Sequence, residues 1–513
     1  PEVFYLTNAA LMLAIVIVNG GRIFKGLGDL VAFRANSRSL VSFAAIASLI
    51  ELIVLAITNP AEGGPVSACA SGMAVFFMSL GISQNSKRVA NSFSDMFNAN
   101  DKFASTVLAD QSFTRKLARD FDLSEAKIII KRRTEYTDNY MSHAENIDMI
   151  TKNVSLTGSV LLIFSIVLGV VSYLVSSSVT TAISAMAFAA AMCAPFTATL
   201  SSSLPLGSAQ NRLTKQSAYI PGYSAAEEIR QASCVVLSGR EIFPKSNVIL
   251  NGIKTFDRER VDKAILYAAS VLIKSCDTMA HMFLNVIQSK TEMLYEVDGV
   301  EYESNLGYSF WVDKERILLG TRAMLEAHDI QVPSRDYENR YTKVSTRDAI
   351  YLAVGGKLYA MFVVSYSPNE EVTDALKELE AIGLNVIIHT RDFNISADKV
   401  SRLFGIPKKM VTVVREDDVP ELSRRTAFVE KTSSSLTHMG TLTSFINGII
   451  ACNRLEGTLK MSMTLELVCM IVGAVFAAAL VLFGSLTGTT ALAALLFQLV
   501  WLSISAIGIS IRK

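Results

Sequence analysis

The residues in this chain that could do chemistry are few. Glu51 stands inside one apolar run, and Cys193-Ala194-Pro195-Phe196 lies inside another. A strand-like stretch, Cys234-Val235-Val236-Leu237, runs into Ser238-Gly239-Arg240-Glu241, and a second ends in Thr390-Arg391-Asp392-Phe393-Asn394. A carboxylate in hydrocarbon is costly, so Glu51 marks an ion path or is paired with a Ser or Asn on a neighbouring helix. A proline inside a spanning helix removes one backbone hydrogen bond, and the freed carbonyls can face a cation. Cys193 adds one thiol there and reads first as a small packing residue. Ser238 is a weak nucleophile unless a base activates it. Asp392 lies at a strand end, where α/β folds place ligand groups. The six cysteines are scattered with no C-x-x-C pair, which suggests neither a disulfide framework nor a zinc site.

The elements that position these residues follow from composition. Half of the 513 residues are hydrophobic and the mean hydropathy is +0.36. That excess is concentrated in seven runs near 2–20, 40–58, 66–84, 156–177, 180–203, 463–484 and 487–510, each long enough to span a bilayer as a helix. Lys and Arg alternate across the loops. Arg22, Lys25, Arg34 and Arg38 follow the first run, and the segment after the third is again basic, whereas 59–65, 176–181 and 484–490 carry no Lys or Arg. This bias puts both large polar segments on the cytoplasmic side. With 48 basic and 47 acidic residues, the balance of +1 offers nothing to a nucleic acid. The expected partner is the lipid bilayer. The chain opens at Pro1 within an apolar run, and a truncated N-terminus is expected.

The soluble block, 206–460, divides by pattern. Strand Ser233–Leu237, helix Val372–Ile382, strand Leu384–His389 and helix Ser396–Phe404 alternate as in a parallel α/β layer. The stretch 346–364 reads as a β-hairpin turning at Gly355-Gly356. Residues 251–345 read as an α+β insertion, with helices at 261–273 and 280–286 and strands at 292–297, 309–313 and 316–320. A shorter segment, 85–150, holds a helix and a strand near Ile128-Ile129-Ile130.

This layout resembles the P-type ATPases, most closely their heavy-metal branch. The resemblance implies a polytopic helical membrane protein with a haloacid-dehalogenase-like α/β domain carrying a nucleotide-binding-like insertion. Its expected parts are three spans in 1–84, a reduced actuator-like segment in 85–150 and a helix pair with Pro195 in 151–205. A phosphorylation-like domain in 206–250 and 346–460, the insertion 251–345 and a terminal helix pair in 461–513 complete it. The family's motifs are degenerate here. Ser238 stands where the family's phosphorylated Asp stands, and Asp392 with Thr390 is the remnant of T-G-D. Gly307 is what remains of the adenine loop, and Ser275-Cys276-Asp277-Thr278 replaces S-E-H-P. Neither T-G-E nor G-D-G-x-N-D is found, and Cys193 lies one residue out of register with C-P-C. Arg240 and Arg391 are expected near one another, where they could bind an anion; the favoured expectation pairs them with Glu241 and Asp392. The first expectation is therefore a pseudoenzyme without a phosphoenzyme, with a regulatory, sensing or scaffold role and a membrane-protein partner. The alternative is a divergent cation or heavy-metal pump, which alone would require ATP and Mg2+. A passive ion channel or carrier using Pro195 and Glu51, with the soluble domains as a gate, is the third; Cys193 is a further candidate for a transport path.

Overall fold

The computed structural model describes residues 2–58, 67–97, 102–145, 149–343, 347–483 and 489–511. The chain divides into two compact units. One comprises Pro1–Ala99, Asn139–Glu227 and Ala451–Lys513; the other comprises Asn100–Asp138 and Glu228–Ile450.

The first unit is helical. Over the described residues the seven apolar runs are helical, apart from interruptions in the first and fifth. Four helices among the described residues are long and apolar enough to cross a membrane: Ser37–Thr58, Asn153–Ser176, Val179–Thr214 and Leu442–Phe483. Val3–Val18 with Gly20–Val31 makes a fifth if that pair, bent by 82°, is one span. The bend has a local cause. Asn19 turns its side-chain amide onto the Ile15 carbonyl at 3.1 Å and accepts the Ser79 hydroxyl at 2.7 Å, just ahead of two glycines that hold a helix weakly. Past the bend the helix is amphipathic: Ile23 is buried, while Arg22 and Lys25 are exposed.

The span Val179–Thr214 is interrupted. Helix Val179–Cys193 stops, Ala194 takes an extended conformation (φ −66°, ψ 132°), and helix resumes at Ala198. The residue before a proline is disfavoured in helical geometry, so Pro195 accounts for the break. Helix Leu442–Phe483 passes this point closely: a Cβ on Gly473 would lie 2.2 Å from the Met192 carbonyl oxygen. Only a small residue permits that approach. Gly473→Val is expected to cost about 1–3 kcal/mol by forcing the helices apart, read as a lower melting temperature in detergent.

In the second unit the parallel layer forms as expected. Strands Val411–Val413, Asn385–His389, Cys234–Ser238 and Ile128–Thr137 lie side by side in parallel, and Val429–Thr432 also pairs in parallel with Ile128–Thr137. Lys102–Val107 continues the sheet antiparallel and carries Leu436–His438 on its far edge. Strands Lys102–Val107 and Ile128–Thr137, expected in a separate actuator-like segment, therefore belong to the same sheet as the strand Cys234–Ser238. A second sheet is antiparallel, in the order Val248–Thr255, Lys357–Tyr366, Asp348–Val354, Glu315–Gly320, Gly307–Val312 and Asp298–Glu303. Helices Val261–Ser275 and Asp277–Val286 pack on it. Two expectations are corrected here. The hairpin 348–366 belongs to this inserted sheet rather than to the parallel layer, because Lys357–Tyr366 pairs with Val248–Thr255 on its other side. The strand expected at 292–297 is a short 3-10 turn at Thr291–Met293, and the strand follows at Asp298–Glu303. The units also part at 227/228 and 450/451, so 206–227 and 451–460 fall with the helices.

Candidate functional site

Within the helical unit the break at Pro195 gathers polar groups in an apolar setting. Thr197, the last residue of the turn and the cap of the next helix, donates its hydroxyl to Oε2 of Glu466. Glu466 is wholly buried, and its Oε1 has no hydrogen-bond partner. Cys469 follows on the same helical face and packs in one cluster with Ala194 and Phe196. Cys193 is buried one residue before the break, as a free thiol. Past the break, inside helix Ala198–Thr214, Ser202 donates to Thr199 O and Ser203 to Leu200 O. Gln498 donates to Ala70 O at 3.1 Å, leaving its own oxygen unpartnered. The thiols suit a soft or borderline cation, whereas the carboxylate and the backbone carbonyls are harder oxygen donors. Among the described residues, however, no three His, Cys, Asp or Glu side chains gather closely enough to hold a metal by themselves.

Glu51 lies in a separate cluster. Ser67 donates both its amide, at 3.1 Å, and its hydroxyl to Glu51 Oε2, and Ser48 bridges Ser67 and Ser71 at 2.7 and 2.6 Å. The pairing with serine matches the packing interpretation, but Oε1 of this buried carboxylate is left without a partner. Sequence reasoning missed Glu466, although the signal was the same as for Glu51: a carboxylate inside an apolar run.

In the soluble unit, Ser238 and His389 are paired at the ends of adjacent parallel strands. Ser238-Gly239-Arg240-Glu241 folds into a single helical turn. Both the amide and the hydroxyl of Ser238 bond Glu241 Oε2, at 2.8 and 2.9 Å. Such a capping arrangement fixes the turn. Glu241 is paired with Lys131, whose ammonium also lies 4.5 Å from the Phe445 ring centre. Gly239 abuts the neighbouring loop: a Cβ there would lie 2.5 Å from Thr390 Oγ1 and 3.0 Å from Thr278 Oγ1. Gly239→Ala is expected to destabilise the soluble unit by about 1–3 kcal/mol, seen as a lower urea midpoint.

Asp392 is buried behind this loop. It accepts the Tyr366 hydroxyl at 2.7 Å and the Asn394 amide at 3.0 Å. Burial pushes its carboxyl up to about 6, against the Tyr366 hydrogen bond and the charge of Lys399, which pull it down. Lys399 is itself paired with Asp348 and sits 3.6 Å from the Tyr366 ring centre. The expected pairs Arg240–Glu241 and Arg391–Asp392 do not form. Lys131 takes Glu241, Tyr366 takes Asp392, and both arginines are exposed. Gly307 is packed in the antiparallel sheet opposite Gly320, where it serves strand contact. Thr390 Oγ1 accepts the Asp392 amide at 3.0 Å. These residues do not compose a magnesium site: Ser238 brings no charge, and both oxygens of Asp392 are engaged inside the protein.

A helical unit with a proline break, joined to a parallel α/β layer carrying an inserted antiparallel sheet, is the architecture of the P-type ATPases. Over its full length the chain matches the crystal structure of a zinc-transporting PIB-type ATPase in the E2.Pi state, covering 99% of that chain with a TM-score of 0.53 and 11% identity. The E2P state of a zinc-transporting PIB-type ATPase gives 0.52. By sequence the chain is similar to Copper-transporting ATPase 2 of Rhizobium meliloti, 24% identical over 200 residues, or 39% of this chain. It is also 22% identical over 205 residues to a Copper-exporting P-type ATPase of Staphylococcus aureus. Those alignments span about a quarter of the length of the curated relatives, at 24% and 25%. No family model matches. By fold and by sequence, then, the chain is similar to the heavy-metal branch of the P-type ATPases. It is an integral membrane protein with its large soluble unit on the cytoplasmic side.

Proposed function

We propose that the protein is a divergent heavy-metal cation transporter built on the P-type ATPase frame, with seven spans and a haloacid-dehalogenase-like soluble unit. The cation passes the break at Ala194–Thr197, and Glu466 is the carboxylate that receives it. The observation that carries this reading is the buried Glu466, held by Thr197 at the break with one oxygen left unpartnered. An ionisable group at such depth is retained where it serves a path. The thiols of Cys469 and Cys193 supply softer donors nearby, and the Ala194–Pro195 backbone further oxygens. The names of the relatives, copper pumps by sequence and zinc pumps by fold, favour this reading over a pseudoenzyme.

One observation favours a second reading, in which no phosphoenzyme forms: Ser238 replaces the acceptor carboxylate, and its hydroxyl is spent on Glu241. Incubating the purified protein with Mg2+ and γ-labelled ATP separates the two. Acid-stable label on the wild type, stimulated by Zn2+ or Cu+, is expected from a pump. Label on Ser238→Asp alone is expected from the second reading with a surviving nucleotide site. The absence of label from both proteins sinks ATP-driven transport.

A further inference from the structure

A large cavity opens within the helical unit just past the break, with Thr199, Ser202 and Ser203 in its wall. Its volume is about 1010 Å³, well beyond that of a metal ion or a single phosphate and at the upper end of ligand pockets. Its walls include Lys25 from the amphipathic helix, Arg38 from the start of the span Ser37–Thr58, and Arg88 from helix Ala68–Phe97. Arg88 is 7% exposed and is oriented by Asn85 Oδ1 and by the Pro221 carbonyl at 3.0 Å, neither of which cancels its charge. Asp29 is the acidic side chain on the wall, and one of its oxygens accepts Asn36 Nδ2 at 2.9 Å. Among the described residues neither Lys25 nor Arg38 has an ion-pair partner. Among the described residues of the wall, three basic groups against one acid favour an anion.

The depth of the cavity is set by its parts. Arg38 sits at the cytoplasmic end of a span, and Lys25 lies on an amphipathic helix that leaves Phe24 and Val31 exposed, as a helix in the headgroup layer does. Basic pockets between helices at that level bind phosphate-bearing headgroups. We propose that this cavity is a binding site for a phosphate-bearing anion, of the size of a phospholipid headgroup, gripped by Lys25, Arg38 and Arg88. The inference does not depend on whether the protein pumps.

The test uses the full chain in nanodiscs of phosphatidylcholine with a minor fraction of phosphatidylglycerol, and reads retained phosphatidylglycerol by native mass spectrometry. The double variant Lys25→Gln/Arg38→Gln is expected to lose about 30-fold in affinity for the anionic lipid, at the usual worth of one basic group near an anionic headgroup taken twice. Arg22→Gln/Arg34→Gln, on the same cytoplasmic side but outside the cavity, is the control and is expected to lose much less. A second arm titrates inorganic phosphate into discs of phosphatidylcholine alone. A rise in melting temperature that the Lys25→Gln/Arg38→Gln variant lacks would support the site with a soluble source. Equal losses in cavity and control variants, or no response to lipid or phosphate, would overturn the proposal.

Discussion

Glu466→Gln is expected to reduce cation transport by about 100-fold or more, the upper end of what supporting groups of a metal site are worth. The amide keeps the size of the side chain and can still accept the Thr197 hydroxyl, so the fold should survive. What it removes is the negative charge beside the break. The loss should therefore fall on cation affinity and flux together, while melting temperature and oligomeric behaviour stay as in the wild type. Thr197→Val, which removes the hydroxyl that orients the carboxylate, is expected to give a smaller loss, about 10-fold. Uptake by vesicles loaded with each variant measures both. A Glu466→Gln protein with undiminished uptake would move the cation path away from the break.

Asp392→Asn is expected to change the pH dependence of stability in the soluble unit. The Asp392 carboxyl is pushed up from 3.8 to about 6 by burial. Between these values the folded protein keeps a proton that the unfolded chain releases. The stability contributed by that proton is complete below about pH 4 and is lost as pH rises through about 6, a fall of about 3 kcal/mol. The asparagine variant has no proton to lose, so the fall should flatten. Above pH 7 it should be the more stable of the two, provided the amide and the Tyr366 hydroxyl exchange donor and acceptor roles. Urea unfolding followed through Trp311 fluorescence, in a Trp501→Phe background between pH 4 and pH 8, reads this directly. Parallel curves for the two proteins would contradict the burial argument.

Much of this architecture was legible in the sequence because it depends on local pattern. Apolar runs mark helices wherever they fall, and Pro195 marks a break because its ring forbids helical geometry in the residue before it. The alternation from Ser233 to Phe404 gave the parallel layer. Pairing between distant strands was not legible. The hairpin 348–366 is visible as a hairpin, but nothing local says which sheet it joins, and it joined the antiparallel one. Strand Asp298–Glu303 carries Asp298, Glu301 and Glu303, so as an exposed edge it lacks the alternation that would announce it. Ion pairs failed for a related reason. Arg240 is Glu241's neighbour in sequence, whereas Lys131 reaches Glu241 from an adjacent part of the sheet more than a hundred residues away. Of the candidate groups at the break, Pro195 and Cys193 were read from the sequence. Glu466 and Cys469 come from a different helix, and only the fold brings them to that point.

The most direct test of the central claim is accumulation of Zn2+ and of Cu+ by proteoliposomes containing the full chain, followed over time with and without MgATP. A divergent heavy-metal transporter predicts accumulation of at least one of the two that Glu466→Gln removes, and stimulation by MgATP would show that a nucleotide site survives. Folded, reconstituted protein that accumulates neither cation under either condition would contradict it.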